Sequence, residues 1–368
     1  MCDARVMLSR RDLVLALLAA RASATTLAAE PADGAAALAF PRDFGAHPQS
    51  RIEWWYITGR LAAAARTWGF QVTFFRTLTG VAGADASAFR AGDLVFAHAA
   101  VTDLENRRLL HDQRLARSGF GIAAAATADT ALVLRDWRLE RSGGSGEASR
   151  YRTRAASETA GFRFELELAT TQPVLLQGVR GISRKGPAAA QFSRYYSQPQ
   201  LRATGRLALG GGAPVAVTGT AWLDHEWSDE VMAADAVGWD WIGMNLDDGG
   251  ALMAFRLRRR DGSVLWSGGS HRPAGGAVRD FAPTEVVFAA GRRWTSPASK
   301  ASYPVEWTVT TPVGVFAVEA LQDDQELDSR ASTGSIYWEG LSRLRDRTGA
   351  AVGSGYLEMT GYAGRLRI

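Results

Sequence analysis

The sequence predicts an all-β protein made of two β-barrel domains packed together. Runs of strand length recur along most of the chain, turn signals punctuate them, and an aromatic segment near the front returns in altered form past the middle. The runs are G-F-Q-V-T-F-F-R (Gly69–Arg76), D-L-V-F-A-H-A-A-V-T-D (Asp93–Asp103), A-L-V-L-R-D-W-R-L-E (Ala131–Glu140), F-R-F-E-L-E-L-A (Phe162–Ala169) and P-V-A-V-T-G-T-A-W-L (Pro214–Leu223). Each alternates with period two or stays apolar for one strand's length, as a half-buried or buried strand must. Gly-Gly-Ser-Gly at 143–146, Gly-Gly-Gly at 210–212, Asp-Asp-Gly at 247–249 and Asp-Gly at 261–262 supply the turns. Many short strands with regular turns fit barrels or sandwiches better than a doubly wound sheet. Neither βαβ spacing nor a glycine-rich phosphate loop occurs, which argues against a nucleotide fold.

Residues 1–29 read as a secretory signal. Ser9 precedes the pair Arg10 and Arg11, an apolar stretch runs from Leu13 to Ala20, and small residues offer cleavage after Ala24 or Ala29. The stretch is too short to span a bilayer as a helix, so no transmembrane segment is expected in the mature chain. The arginine pair favours the twin-arginine route, with ordinary secretion as the alternative. Either route makes the expected location periplasmic or secreted. The single cysteine, Cys2, lies in this segment, leaving no disulfide, thiolate ligand or cysteine nucleophile for the rest. Net charge is +4, from 42 basic and 38 acidic residues, and the basic residues are scattered rather than clustered. That pattern excludes a nucleic-acid footprint. The one basic run, Arg256–Gly262, ends in Asp-Gly and reads as a solvated hairpin tip.

After an extended lead-in over 30–46, the first domain is expected over 47–220 and the second over 221–368. The aromatic segment H-P-Q-S-R-I-E-W-W-Y-I-T-G-R-L (His47–Leu61) opens the first. Consecutive strand residues face opposite ways, so Trp54 and Tyr56 share one face while Glu53, Trp55 and Ile57 share the other. Two apolar faces imply burial on both sides. W-W-Y-I-T-G-R-L (Trp54–Leu61) aligns with W-D-W-I-G-M-N-L (Trp239–Leu246), and Phe70 meets Phe255 at the same offset. Both copies read as the first strand of a β-meander, which suggests two related barrels.

Five motifs in chain order resemble one family. They are H-P-x-x-x-x-E-W-W-Y-x-T-G (His47–Gly59), F-A-H-A-A-V-T-D (Phe96–Asp103), W-L-D-H-E-W-S (Trp222–Ser228), G-W-D-W-x-G-x-x-L-D-D-G (Gly238–Gly249) and G-Y-L-E-M-T-G-Y (Gly355–Tyr362). The family is the AttH-like branch of the carotenoid 1,2-hydratase (hydroxyneurosporene synthase, CrtC-type) proteins. The resemblance implies two lipocalin-like (calycin) barrels, a hydrophobic ligand of polyene, isoprenoid or lipid type, and cofactor-free addition of water to a double bond. Some relatives of this architecture catalyse pericyclic cyclisations instead, and AttH-type proteins are linked to an ABC transporter. The resemblance also implies a His-x-Trp pair at the hydratase site, which His225 and Trp227 match. It places the acid on the strand after the next, but Leu252–Leu257 reads L-M-A-F-R-L and carries no carboxylate.

The candidate catalytic residues are therefore His225, with Glu226 and Glu53 as reserve proton donors whose pKa burial would raise. Trp54, Tyr56, His98, Trp227, Trp239 and Trp241 are the candidate ligand-binding residues, since aromatic faces suit an extended apolar ligand and can stabilise a transient cation. His98 is expected to point into the first barrel. Glu53, if buried, needs a partner such as Arg76 or His98. Asp224, His225, Glu226 and Asp229 do not make a metal site, because neighbours on a strand point apart, and no cofactor is expected. The alternatives to an enzyme are a carrier of a hydrophobic ligand and an envelope scaffold with filled barrels. No G-x-S-x-G elbow supports an α/β-hydrolase reading.

Overall fold

A computed structural model of the protein describes residues 37–80, 92–144, 148–230 and 232–365. The signal-peptide reading of residues 1–29 lies outside these. Within them the regular structure is strand, apart from two single turns of 3-10 helix at Arg42–Phe44 and Pro283–Glu285.

The first sheet grows in both directions from Ile52–Ala63. On one side lie Arg66–Leu78, Asp93–Asp103 and Arg108–Arg117 in sequence order; on the other, Val215–Ser228 and Phe192–Leu209 lead on to shorter strands ending at Ala123–Ala125. The two ends of the sheet approach each other, Arg108–Arg117 lying against Ala131–Leu134, so the sheet forms a nearly closed barrel. Its interior is packed with Trp55, Ile57, Phe70, Phe74, Trp137 and Trp227. The second sheet repeats the plan. Ala236–Leu246 pairs with Ala251–Arg259, which follows it, and with Ala351–Met359, the last strand. Its core holds Ile242, Met244, Leu252, Trp307, Trp338 and Leu357.

The weak sequence repeat therefore marks equivalent strands, each the first of its sheet and each paired with the last. Ile57 and Ile242 both enter their own barrel's core, while Tyr56 and Trp241 both enter a third apolar cluster between the sheets. The match of Phe70 with Phe255 does not hold in space. Phe70 pairs with Gly59 and faces the barrel interior, whereas Phe255 pairs with Trp241 and faces the region between the sheets. The two hairpins differ in length, and a register change of one residue turns a side chain to the other face.

The domain break differs from the expected 220/221. Val215–Ser228 runs through that point and pairs along its length with Ile52–Ala63, from Ile52↔Ser228 to Ala62↔Thr218. W-L-D-H-E-W-S is thus the closing strand of the first barrel, and the chain changes sheet between Ser228 and Ala236. The basic run also divides. Arg256 and Arg258 turn inward to the buried Asp240, at 2.7 and 3.0 Å, and the solvated turn begins only at Arg259.

The sheets meet closely. A Cβ on Gly69 would stand 2.6 Å from the Tyr356 hydroxyl and 3.0 Å from Leu341, so that contact between the Arg66 strand and the second sheet requires glycine.

Candidate active site

Pairing of the Ile52 and Val215 strands generates two chemically different surfaces from neighbouring residues. Glu53↔Trp227 and Trp55↔His225 are cross-strand pairs facing into the first barrel; Trp54↔Glu226 and Tyr56↔Asp224 alternate with them and face the second sheet.

On the inner face, Glu53 is the hub. Its Oε1 lies 2.7 Å from His47 Nδ1 and 2.8 Å from His225 Nε2; its Oε2 accepts from Arg76 Nε at 3.1 Å and from the His47 backbone N–H at 2.9 Å. Arg76 is the partner expected from the sequence; His98 is not involved. His47 Nε2 meets Asp43 at 3.1 Å, and its ring stacks on Trp227 at 3.7 Å. His225 stacks on Trp55 at 4.5 Å and meets the Tyr196 hydroxyl through Nδ1 at 3.1 Å. Burial acts to raise the Glu53 pKa, but hydrogen bonds from His225 and His47 outweigh it and hold the carboxyl at about 2. Burial pushes the His225 pKa down, with Glu53 acting against it. The donor atoms of His47, Glu53 and His225 lie within 4.8 Å of one another, a set suited in kind to zinc. All three are already committed to one another, and Arg76 holds Glu53 besides.

The outer face lines a cavity between the sheets, with an interior volume of about 110 Å³. A single water needs about 10–15 Å³ on this measure, so there is room for a small ligand or several waters. The first sheet contributes Trp54, Tyr56, Gln71, Phe75, Asp224 and Glu226; the second contributes Trp239, Trp241, Phe255, Tyr337, Glu339 and Glu358. Trp241 meets Tyr56 edge-on at 5.5 Å. Lys185, from the turn after Ile182–Arg184, reaches in over the rings of Phe255 and Tyr195 at 4.5 and 4.9 Å.

Four carboxyl groups share this aromatic space. Asp224 accepts from Ser197 Oγ at 2.5 Å, Trp222 Nε1 at 2.7 Å and Tyr195 Oη at 2.7 Å. Burial still prevails over those bonds, with the Glu226 charge adding to it, and lifts the pKa to about 7. Glu358 is also raised to about 7, chiefly by burial, with Asp224 and Glu226 adding to it and the Trp239 side chain opposing. Glu339 stands directly across the strand pair from Glu358. Burial, then the Glu358 charge, raises it well above the ordinary carboxyl range. Glu226 is bound to Ser193 Oγ and to Lys185 Nζ, the latter at 2.9 Å. The cavity thus places neutral carboxylic acids beside one lysine-paired carboxyl group, among aromatic faces. This is the equipment of general acid–base chemistry through a cationic intermediate.

The expected site residues divide accordingly. Trp54, Tyr56, His98, Trp239, Trp241 and Glu226 line the cavity. His225, Trp227 and Glu53 do not: alternation along their strands turns them into the first barrel, where His225 and Glu53 are fully buried. His98 faces out of the first barrel rather than in. Its Nδ1 and Nε2 meet Tyr337 Oη and Ser332 Oγ, each at 2.8 Å, tying the two sheets together. Burial, with the nearby His111 charge, lowers its pKa to about 3, so the ring is neutral. Asp224, Glu339, Glu358 and Lys185 were absent from the candidates, although Asp224 and Glu358 sit inside two of the quoted motifs.

A model of the AttH-like family matches residues 31–362. The chain belongs to the AttH-like family. Its structure is similar to the crystal structure of an AttH from Nitrosomonas europaea, at 44% identity and a TM-score of 0.82, covering 90% of this chain and 99% of that one. Kievitone hydratase from Nectria haematococca is similar at 14% identity and a TM-score of 0.59, covering 90% of this chain and 97% of its own. CghA with Sch210972 is similar at 12% identity and a TM-score of 0.54, covering 86% and 90%. At these identities the likeness to the last two is one of fold, and it makes the AttH-like chain a two-barrel lipocalin-like protein. A comparison with curated proteins finds no match.

Proposed function

We propose that this AttH-like protein performs hydratase-type acid–base chemistry on an unsaturated, largely apolar small molecule held between its barrels. The observation that carries this reading is the cluster of carboxyl groups gathered inside an aromatic cavity between the sheets, where burial lifts Asp224 and Glu358 to about 7 and Glu339 well above its ordinary range. A buried carboxyl group is costly, and groups poised near pH 7 suit proton transfer. Glu358 is the proton donor in this reading, because it is titratable near neutrality and partly accessible from the cavity. Its proton passes to an alkene carbon, the carbocation rests against Trp54, Trp239 and Trp241, water adds, and Glu226 takes the proton that the water releases. Asp224, fixed by three donors, orients Tyr195. The hydratase among the proteins of similar fold is consistent with this assignment. Carotenoid hydration itself has no particular support, since the Leu252–Leu257 stretch lacks the acid the resemblance called for. The second reading, a non-catalytic carrier, keeps the same cavity and assigns the acids to anchoring.

The test begins with protein purified from its own host and native mass spectrometry of whatever ligand co-purifies. Incubation of that complex in heavy water should put deuterium on carbon, and Glu358→Gln should abolish the exchange. Ligand retained by the wild type without any exchange would select the carrier.

Export is the remaining part of the proposal, and an ABC transporter partner fits it only if the protein reaches the periplasm. Replacing Arg10 and Arg11 by lysine should leave the precursor in the cytoplasm. Normal delivery of that variant would contradict the twin-arginine route.

A further inference from the structure

Gln71 Oε1 is buried at the cavity without a hydrogen-bond partner, and beside it the Tyr56 hydroxyl and the Glu339 carboxyl engage each other. They lie together. Tyr56 is paired with Thr73, two residues from Gln71 on the same face, and Gln71 Nε2 donates to Thr73 Oγ1 at 3.1 Å and to Tyr337 Oη at 3.3 Å. Tyr337 and Glu339 share a face of Ser335–Arg345, which brings the Glu339 carboxyl within hydrogen-bond reach of Tyr56. All three residues are more than nine-tenths buried, at 6%, 2% and 3% exposure. A buried polar atom left without a partner is costly, so Gln71 Oε1 marks a place that receives a polar group.

The chemistry of the patch narrows what that group is. Gln71 has spent its amide N–H₂ on Thr73 and Tyr337, so what it offers the cavity is an acceptor, and only a donor satisfies it. Tyr56 and Glu339 spend one proton on each other, and because burial holds Glu339 neutral the pair keeps a second, which it offers the cavity as a donor. A hydrocarbon meets none of these needs, and a ketone or ether meets only the donor. A hydroxyl meets both.

We infer that the ligand carries an alcohol or phenol hydroxyl, docked against Gln71, Tyr56 and Glu339 while its apolar body lies among the tryptophans. This rests on the cavity reading above and deepens it: the substrate class is an oxygenated apolar molecule rather than a bare polyene. The hydroxyl gives the ligand one orientation, and Gln71 and Tyr56 are positioning residues that decide which carbon faces Glu358.

Quenching of tryptophan fluorescence by three matched probes tests it: a naphthol, its methyl ether and naphthalene. The naphthol should bind about tenfold or more tightly than either of the others, the worth of one buried hydrogen bond left unmade. Gln71→Leu and Tyr56→Phe should each shrink that preference while leaving naphthalene binding within about twofold. Equal binding of the three probes, or a naphthol preference that survives both variants, overturns the hydroxyl assignment and leaves the cavity as the ligand site. Absence of quenching by any probe overturns the cavity reading itself. Retained naphthalene binding shows that each variant is folded.

Discussion

Glu53 and Asp224 lie on paired strands, three residues apart in register, both almost fully excluded from solvent, yet their carboxyl groups are driven in opposite directions. Glu53 is held at about 2, whereas Asp224 is lifted to about 7. Depth of burial does not separate them. The difference lies in what surrounds each group. Glu53 faces two imidazoles and a guanidinium, all cationic or able to become so. Asp224 has only neutral donors, and another carboxyl group stands nearby. Neutral hydrogen bonds offset part of the desolvation of a carboxylate; an adjacent cation offsets far more. The inner face is therefore built to keep a charge and tie the barrel together, and the outer face to keep a proton available.

The largest expected effect follows from breaking the inner face. Glu53→Gln strips Arg76 of its fully buried partner and should cost about 3–5 kcal/mol of stability, measured by denaturant unfolding. Asp224→Asn, which resembles the neutral acid already present, should cost about 1 kcal/mol or less. Equal losses would mean that the two faces do not differ in kind.

A second expectation is a stability maximum bounded on both sides. Glu53 has a folded pKa near 2, below its free value of 4.5, so its contribution is complete above 4.5 and is lost as pH falls toward 2. Asp224 and Glu358 have folded values near 7, above free values of 3.8 and 4.5. They bind more protons folded than unfolded, so their contribution is complete below the free values and is lost as pH rises through 7. Melting temperatures across this range should fall at both ends. Glu53→Gln should flatten the acid side alone, and Asp224→Asn with Glu358→Gln the neutral side alone.

The smallest effect belongs to Lys185. The ion pair with Glu226 reaches the edge of the cavity, with the lysine side chain 20% exposed, and such pairs contribute about 0–1 kcal/mol. Lys185→Met should leave the melting temperature within a few degrees while releasing the Glu226 carboxyl from its position at the cavity, read as slower deuterium exchange of a co-purified ligand.

Much of the architecture was legible in the sequence because alternation and turn residues are local signals. The repeat of Trp54–Leu61 and Trp239–Leu246 located the first strand of each barrel. The closing strands were harder to place, because pairing Val215–Ser228 with Ile52–Ala63 is a contact across more than 150 residues of chain with no local signature. The same alternation that separates Trp54 from Glu53 also separates His225 and Trp227 from Asp224 and Glu226. Applied strictly, it assigns the two sets to different compartments. Glu339 and Glu358 carried no such clue: each is a lone acid in an aromatic strand, and only sheet pairing brings them face to face across from Asp224.

The measurement that bears most directly on the account is infrared difference spectroscopy of the protonated carboxyl band as a function of pH. At neutral pH the wild type should show buried protonated carboxyl groups that titrate near 7. Asp224→Asn and Glu358→Gln should each remove part of that signal, and Glu53→Gln should leave it intact. A protein whose carboxyl groups all titrate near about 4, like free side chains, would contradict the account. So would a component titrating near 7 that is undiminished when both cavity residues are substituted.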